Sequence, residues 1–371
     1  MDKKLKKMKI KEFAEVVTGG TPSTKKKEYW ENGNIPWLPS GACKDKVIRG
    51  ADNFITSLGL ENSSAKVMPK GTVVIALTGA TTGKLGILGF EACANQSVTG
   101  IIPNDKFISQ YIFYYLKFIR EKILFDSYGG AQKHISQGYI KEIEVPLPDI
   151  DVQRNIVYIL EKSQKLIDKR KEQIEELDLL VKSKFIEMFG NPITNSKGWN
   201  IKLLGEVCEM KAGKNIKSAD IYEKNNGKLY PCYGGNGLRG YVRDYSHDGN
   251  IPLIGRQGAL CGNVKYAKGK FYATEHAVVT NPKIEMNTYW LYYILEQLDL
   301  NRLSTGAAQP GLTVGKLKEV ELPIAPIGMQ NDFENFAKQV DKLKFEMKKS
   351  LKELEENFNS LMQKIFKVDL P

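Results

Sequence analysis

Few residues in this 371-residue chain have the types and spacing that chemistry needs, and those few point to recognition. Arg256 and Gln257, adjacent in LIGRQGAL, are of the kinds that make two-pronged hydrogen bonds to guanine and adenine edges. Arg256 suits a phosphate contact or an internal ion pair equally well, and the sequence leaves these uses open. In YGGNGLRGY, from Tyr233 to Tyr241, Gly-Gly and Asn-Gly tolerate positive φ. Such a backbone can press against a flat partner while Asn236, Arg239, Arg243 and the tyrosines project; an ordinary hairpin turn is the plainer use. GATTGKL, from Gly79 to Leu85, has one residue too few between its glycines for a nucleotide-binding loop and lacks the Ser or Thr after Lys84 that would hold magnesium. The same turn brings backbone amides and Lys84 within reach of a nucleic-acid phosphate.

Catalytic constellations are harder to find. Three histidines, His134, His247 and His276, lie far apart, with no metal-ligand spacing and no Ser-His-Asp or Cys-His arrangement. Asn191-Pro192-Ile193-Thr194 lacks the second proline and the aromatic of an amino-methyltransferase motif and reads as a helix stop. Five scattered cysteines without a C-x-x-C pair argue against a disulfide framework or a zinc site and fit a reducing cytoplasm. No apolar run approaches the roughly 20 residues of a membrane span, and the basic start MDKKLKKMKIKEF lacks the apolar stretch of an export signal.

The elements that must position these loops occur twice. AQKHISQGYIKEIEVPLPDIDVQ around Gln132 aligns without gaps on AQPGLTVGKLKEVELPIAPIGMQ around Gln309, an offset of 177 residues that pairs Gly138 with Gly315, Pro146 with Pro323 and Gln153 with Gln330. A duplicated unit in one chain predicts a pseudo-two-fold molecule. IKEIEVPL and LKEVELPI alternate like strands, and the prolines that follow each admit a helix start. Beyond them, apolar residues recur at alternating four-three spacing through Ile167, Ile174, Leu177 and Val181, and again through Val340, Met347, Leu351 and Leu354. The spacing predicts two coiled-coil helices of about 38 residues, roughly 57 Å each, paired antiparallel with Leu177 near Val340.

Charge separates these helices from the rest. Residues 151–190 hold eight Lys/Arg and eight Asp/Glu, and residues 328–371 again eight of each. The chain's +11 therefore lies in residues 1–150, with 21 basic and 15 acidic side chains, and residues 191–327, with 17 and 12. Two similarly basic lobes on neutral helices suit a polyanion with two contact regions, most commonly nucleic acid. The fold expected is α+β: two mixed α/β lobes at 1–150 and 191–327, and long helices at 151–190 and 328–371.

TGGTPS (18–23), NIPWLPSG (34–41), YPCYGGNGLRGY (230–241), LIGRQGALCGNV (253–264) and the duplicated tails VPLPDIDVQ and ELPIAPIGMQ together resemble the specificity (S) subunit of type I restriction-modification systems, in the order lobe, helix, lobe, helix. The resemblance implies a non-catalytic subunit in which 1–150 and 191–327 are target-recognition domains, each reading one half of a bipartite double-stranded DNA target, with an antiparallel coiled coil spacing the domains and docking two methyltransferase (M) subunits. Restriction (R) subunits would join them. S-adenosylmethionine, ATP and Mg would then belong to those partners and not to this chain. By residue type, phosphate contacts are expected from Lys25, Lys26, Lys27, Lys84, Lys133, Lys214 and Arg243. Base-edge contacts are expected from loops bearing Ser40, Gln96, Tyr233, Asn236, Arg256 and Gln257. A self-sufficient DNA methyltransferase or nuclease is the competing expectation, and a coiled-coil adaptor without a DNA role is a third.

Overall fold

The computed structural model describes residues 7–126, 134–225, 227–258, 260–305 and 311–366. The chain divides into two units, Met1–Arg170 with Ser350–Pro371, and Lys171–Lys349. Each unit therefore takes one lobe and part of each long helix.

Both units repeat one plan. In the first, a sheet runs in the order Val16–Thr18, Val98–Ile101, Val73–Ala76, Leu85–Leu88 and Lys46–Ile48. In the second, Cys208–Ala212, Ala277–Pro282, Ile251–Gly255 and Val264–Ala267 follow the same order. A smaller sheet sits beside each, built on a parallel pair: Ile35–Leu38 with Cys93–Ala94 in the first unit, Tyr230–Gly234 with Lys270–Ala273 in the second. The apolar runs Val73–Ala76 and Ile251–Gly255 are buried throughout, as central strands covered on both faces must be. Helices Ser109–Phe118 and Thr288–Gln297 line the two larger cores, with Tyr111 and Trp290 among the most deeply buried side chains.

The duplicated tails are helix first and strand second. Ser136 accepts a hydrogen bond from the Tyr139 amide at 3.0 Å, and Thr313 from Lys316 at 3.3 Å, which start the helices Gln137–Glu142 and Val314–Lys318. These N-caps override the alternation expected over IKEI and LKEV. Only Glu144–Pro146 and Glu321–Ile324 are strands, paired antiparallel with Lys7–Lys9 and Asn200–Leu203. The repeated glutamines then clamp the helix starts. Gln153 is fully buried; its Oε1 accepts from the Ile108 amide at 2.9 Å and its Nε2 donates to the Pro148 carbonyl at 2.8 Å. Gln330 does the same with the Asn287 amide at 2.9 Å and the Ala325 carbonyl at 2.7 Å. A buried amide satisfied at both ends ties each long helix to the residue just before the neighbouring helix.

The long helices span Ile150–Phe189 and Ile327–Phe366. Gly190, at φ 76°, ends the first, and Asn191 Oδ1 accepts from the Ile193 amide at 2.8 Å, so the Asn-Pro stretch is the helix stop expected. Within each unit the two helices share a core, and in the second the paired positions run in opposite directions along them. In the first, Leu160 and Ile167 share a core with Phe358, Met362 and Phe366. In the second, Asp178 pairs with Lys344, a seam position, while Phe185 and Phe189 meet the Phe333 ring at 5.3 and 5.7 Å. Ile167, Val181 and Val340 are buried; Leu177, Leu351 and Leu354 are half-buried against the cores; Ile174 and Met347 are half-buried.

Toward the helix ends the buried positions move one residue from the expected four-three rows, to Phe185 and Phe189 instead of Lys184 and Met188, and to Met362 and Phe366 instead of Leu361 and Ile365. There the helix faces its lobe as well as its partner helix: Phe366 packs on Tyr111, Tyr115 and Phe118. A straight helix also drifts away from a strict 3.5-residue repeat. Phe333 illustrates how much rests on these junctions. Phe333→Ala removes a fully buried ring in contact with Phe185, Phe189 and Tyr293 and is expected to cost about 3–5 kcal/mol. Phe345→Ala, at a residue 67% exposed, should change stability by no more than about 0.5 kcal/mol. Urea unfolding of both variants measures the contrast.

Candidate nucleic-acid interface

Strand Val73–Ala76 runs into a tight turn whose hydrogen bonds reappear in the second unit. The Gly83 amide donates to the Ala76 carbonyl at 2.8 Å and Ala76 to Lys84 at 2.9 Å; Gly262 donates to Gly255 at 2.7 Å and Gly255 to Asn263 at 2.9 Å. Leu77 donates to Ser97 at 2.8 Å and receives Ile135 at 2.9 Å, as Arg256 donates to His276 at 3.0 Å and receives Leu312 at 2.9 Å. Asn95 donates to Leu38 at 2.9 Å, and Thr274 to Tyr233 at 2.9 Å. Gly19 and Gly20 donate to Val98 and Ala94, and Gly213 and Lys214 to Ala277 and Ala273. Gly19 and Gly213 are obligatory there, because a Cβ would stand 2.2 Å from the Ala94 carbonyl oxygen or 2.1 Å from that of Ala273. One backbone frame thus presents two sets of side chains. GATTGKL belongs to this frame, with Asn263 in the position of Lys84, and Cys232 takes the position of Trp37.

In the first unit the frame brings Thr21 to Gln96, whose side chains are hydrogen-bonded, and places the short turn Ser40–Ala42 directly after Leu38. The Trp37 ring nitrogen fastens the glycine loop by donating to the Gly20 carbonyl at 2.9 Å. Lys84 is 3.7 Å from Asp45, a carboxylate already held by Arg120. Lys25, Lys26 and Lys27 are all exposed on the chain leaving the glycine loop. Lys26 donates to the Tyr29 hydroxyl at 2.9 Å, and Lys27 pairs with Glu31 at 3.6 Å. Lys133 lies outside the described residues.

In the second unit Tyr233, Asn236, Arg256 and Gln257 converge, with the Lys214 backbone joined to the same frame. The Gly-Gly loop permits it: a Cβ on Gly255 would stand 1.8 Å from the Gly235 carbonyl oxygen, and one on Gly235 would stand 3.0 Å from that of His276. Asn263 donates to Asn236 at 3.2 Å. Tyr233 sets its ring edge-on to Phe271 at 5.9 Å, and burial pushes its hydroxyl pKa up, so it stays a neutral donor. His247 stacks on Phe271 at 5.3 Å; burial, then Lys214, holds its pKa below the usual imidazole value. Arg243 stands instead over the Tyr222 ring at 5.7 Å, just beyond the strand Gly237–Val242.

Residue-type reasoning over the sequence missed Thr21, Asn95, Asn263 and Glu275. Glu275 joins His276 at 3.1 Å between side-chain atoms, beside the Arg256 backbone. Its first-unit counterpart is Gln96, and nothing in ANQS against TEHA signals the match. Among the described residues no group of three or more His, Cys, Asp or Glu is placed to hold a metal ion, and no helix is long and apolar enough to cross a membrane.

Comparison with known proteins adds an independent line. A family model for the type I restriction modification DNA specificity domain matches residues 2–178 and 196–356. The type I restriction enzyme EcoprrI specificity subunit of Escherichia coli is 34% identical over 332 residues, 84% of this chain and 81% of that protein. The MjaIX specificity subunit of Methanocaldococcus jannaschii is 32% identical over 242 residues, 58% of this chain and 54% of its own. Among solved structures, the type I restriction-modification S subunit from M. genitalium aligns with a TM-score of 0.58 at 18% identity, over 100% of this chain and 98% of that one. A chain solved for the complex assembly and conformational transition of the type I R-M system aligns with a TM-score of 0.64 at 18% identity, over 98% of each. At that identity the structural likeness speaks for the fold alone.

Proposed function

The chain belongs to the type I restriction-modification DNA specificity family, and from its work as the sequence-recognising subunit of such a system we propose that each of its two loop frames reads one half of a bipartite double-stranded target. The observation that carries this is the repeated backbone frame with different side chains on it, since a common scaffold with divergent loops gives two readers of different sequence. Base edges would be met by Ser40 and Gln96 in one domain and by Tyr233, Asn236, Arg256 and Gln257 in the other. Lys25, Lys26, Lys27, Lys84, Lys133, Lys214 and Arg243 would hold phosphates and set register.

The long helices space the domains and dock two methyltransferase subunits, with restriction subunits joining the complex. Large apolar side chains left exposed on them, such as Leu166, Leu179 and Phe345, support the docking role. The chain itself is a non-catalytic specificity subunit: methyl transfer from S-adenosylmethionine falls to the M subunits, and ATP and Mg to the R subunits. Incubating the purified chain with labelled S-adenosylmethionine and DNA, alone and with its M subunits, tests this division. Transfer is expected only in the second mixture; transfer by the chain alone would establish the competing methyltransferase reading.

Binding should also weaken steeply with salt. Replacing Lys25, Lys26 and Lys27 together with Gln is expected to flatten the log-log dependence of affinity on salt by up to about three, roughly one per lost phosphate contact. A titration in fluorescence anisotropy at several salt concentrations measures the slope, and an unchanged slope removes the lysine run from the interface.

A further inference from the structure

The two frames place Gln96 and Glu275 at corresponding positions, each directly after the residue whose amide bonds the smaller sheet, Asn95 to Leu38 and Thr274 to Tyr233. Their surroundings differ. Gln96 is exposed and bonded to Thr21. Glu275 turns Oε1 toward His276 at 3.1 Å, while Oε2 is buried without a hydrogen-bond partner. Arg256 Nε is in the same state, and the Arg256 amide is bonded to the His276 carbonyl at 3.0 Å. A buried carboxylate oxygen and a buried guanidinium nitrogen without partners carry their desolvation penalty, which a hydrogen bond to a ligand would relieve.

We propose that Glu275 is a specificity-determining residue of the second domain, accepting a hydrogen bond from the exocyclic amino group of a cytosine or an adenine. An ionised carboxylate has acceptors only, and in the major groove the donors are cytosine N4 and adenine N6. Within a lobe of 17 basic and 12 acidic side chains, this carboxylate at the loop frame contributes nothing to phosphate binding. Its effect there is discrimination, since it repels phosphates and keto oxygens and admits an amino group. His276, beside Oε1, is a positioning residue that holds the carboxylate in the frame. Gln96, with both donor and acceptor, is the corresponding reader in the first domain.

This inference rests on the two-domain reading given above, and the experiment separates the two. The full chain assembled with its M subunits is given a DNA library randomised in both half-sites, and methylated adenines are sequenced. For Glu275→Ala, the preference for an amino-bearing base at one position of one half-site is expected to fall by roughly tenfold to a hundredfold, and for Glu275→Gln, whose amide can also donate, keto-bearing bases should be admitted there, while the other half-site is unchanged in both. Glu275→Asp, which keeps the acceptor, should keep the base identity. Gln96→Glu, at an exposed position, should introduce an amino-base requirement in the opposite half-site. Unaltered preferences in both the Gln and Ala variants overturn the inference and leave the bipartite reading standing. A wild-type complex without bipartite recognition overturns both.

Discussion

Exchanging residues 191–327 for the matching segment of a relative with a different target is expected to replace one half of the methylated sequence and leave the other half intact. The expectation follows from the frames: among the described residues, the backbone hydrogen bonds that shape the Arg256–Asn263 turn, the Tyr233 loop and the Thr274–His276 segment close within 191–327. The exchanged protein should methylate the original site roughly a thousandfold less than the new one, the low end of the gap between specific and non-specific binding. Methylome sequencing in cells carrying either version measures it. Simultaneous change of both half-sites would end the two-module reading.

Gly255→Ala should nearly abolish discrimination in the second half-site alone. The added methyl would stand 1.8 Å from the Gly235 carbonyl oxygen, so the Gly-Gly loop has to leave its seat and take Asn236 with it. The first domain has alanine, Ala76, at the corresponding position, where the loop after Leu38 carries Ser40 and Gly41 instead; the strand itself therefore tolerates the methyl. Loss of one or two direct contacts of about 1–3 kcal/mol each corresponds to roughly tenfold to a thousandfold in selectivity. Competition binding with duplexes altered in one half-site at a time checks it, with circular dichroism to show that the fold persists. Selectivity equal to wild type would mean that the Gly-Gly loop does not read DNA.

The stations of the repeat were legible because they are local or periodic. Gln153 and Gln330 stand 177 residues apart and do the same work; the helices were visible in their apolar spacing; the Asn-Pro stop after Phe189 ends its helix as expected. What periodicity missed lay where another element competes. Ser136 and Thr313 cap helices through runs that alternate like strands, and Phe185 and Phe366 displace the regular seam because lobe aromatics pack against them.

By itself the amino-acid sequence determined the duplication, the neutral helices between basic lobes and the kind of partner, since these depend on residue order, period and charge, which need no coordinates. Only the tertiary structure decided which side chains stand at equivalent points of the two reading frames. Leu77 corresponds to Arg256, Lys84 to Asn263 and Gln96 to Glu275 through backbone hydrogen bonds between segments distant in the chain. Those bonds depend on backbone amides and carbonyls, which every such residue carries, so the side chains above them are free to differ, and the sequence keeps only a weak similarity between the two turns.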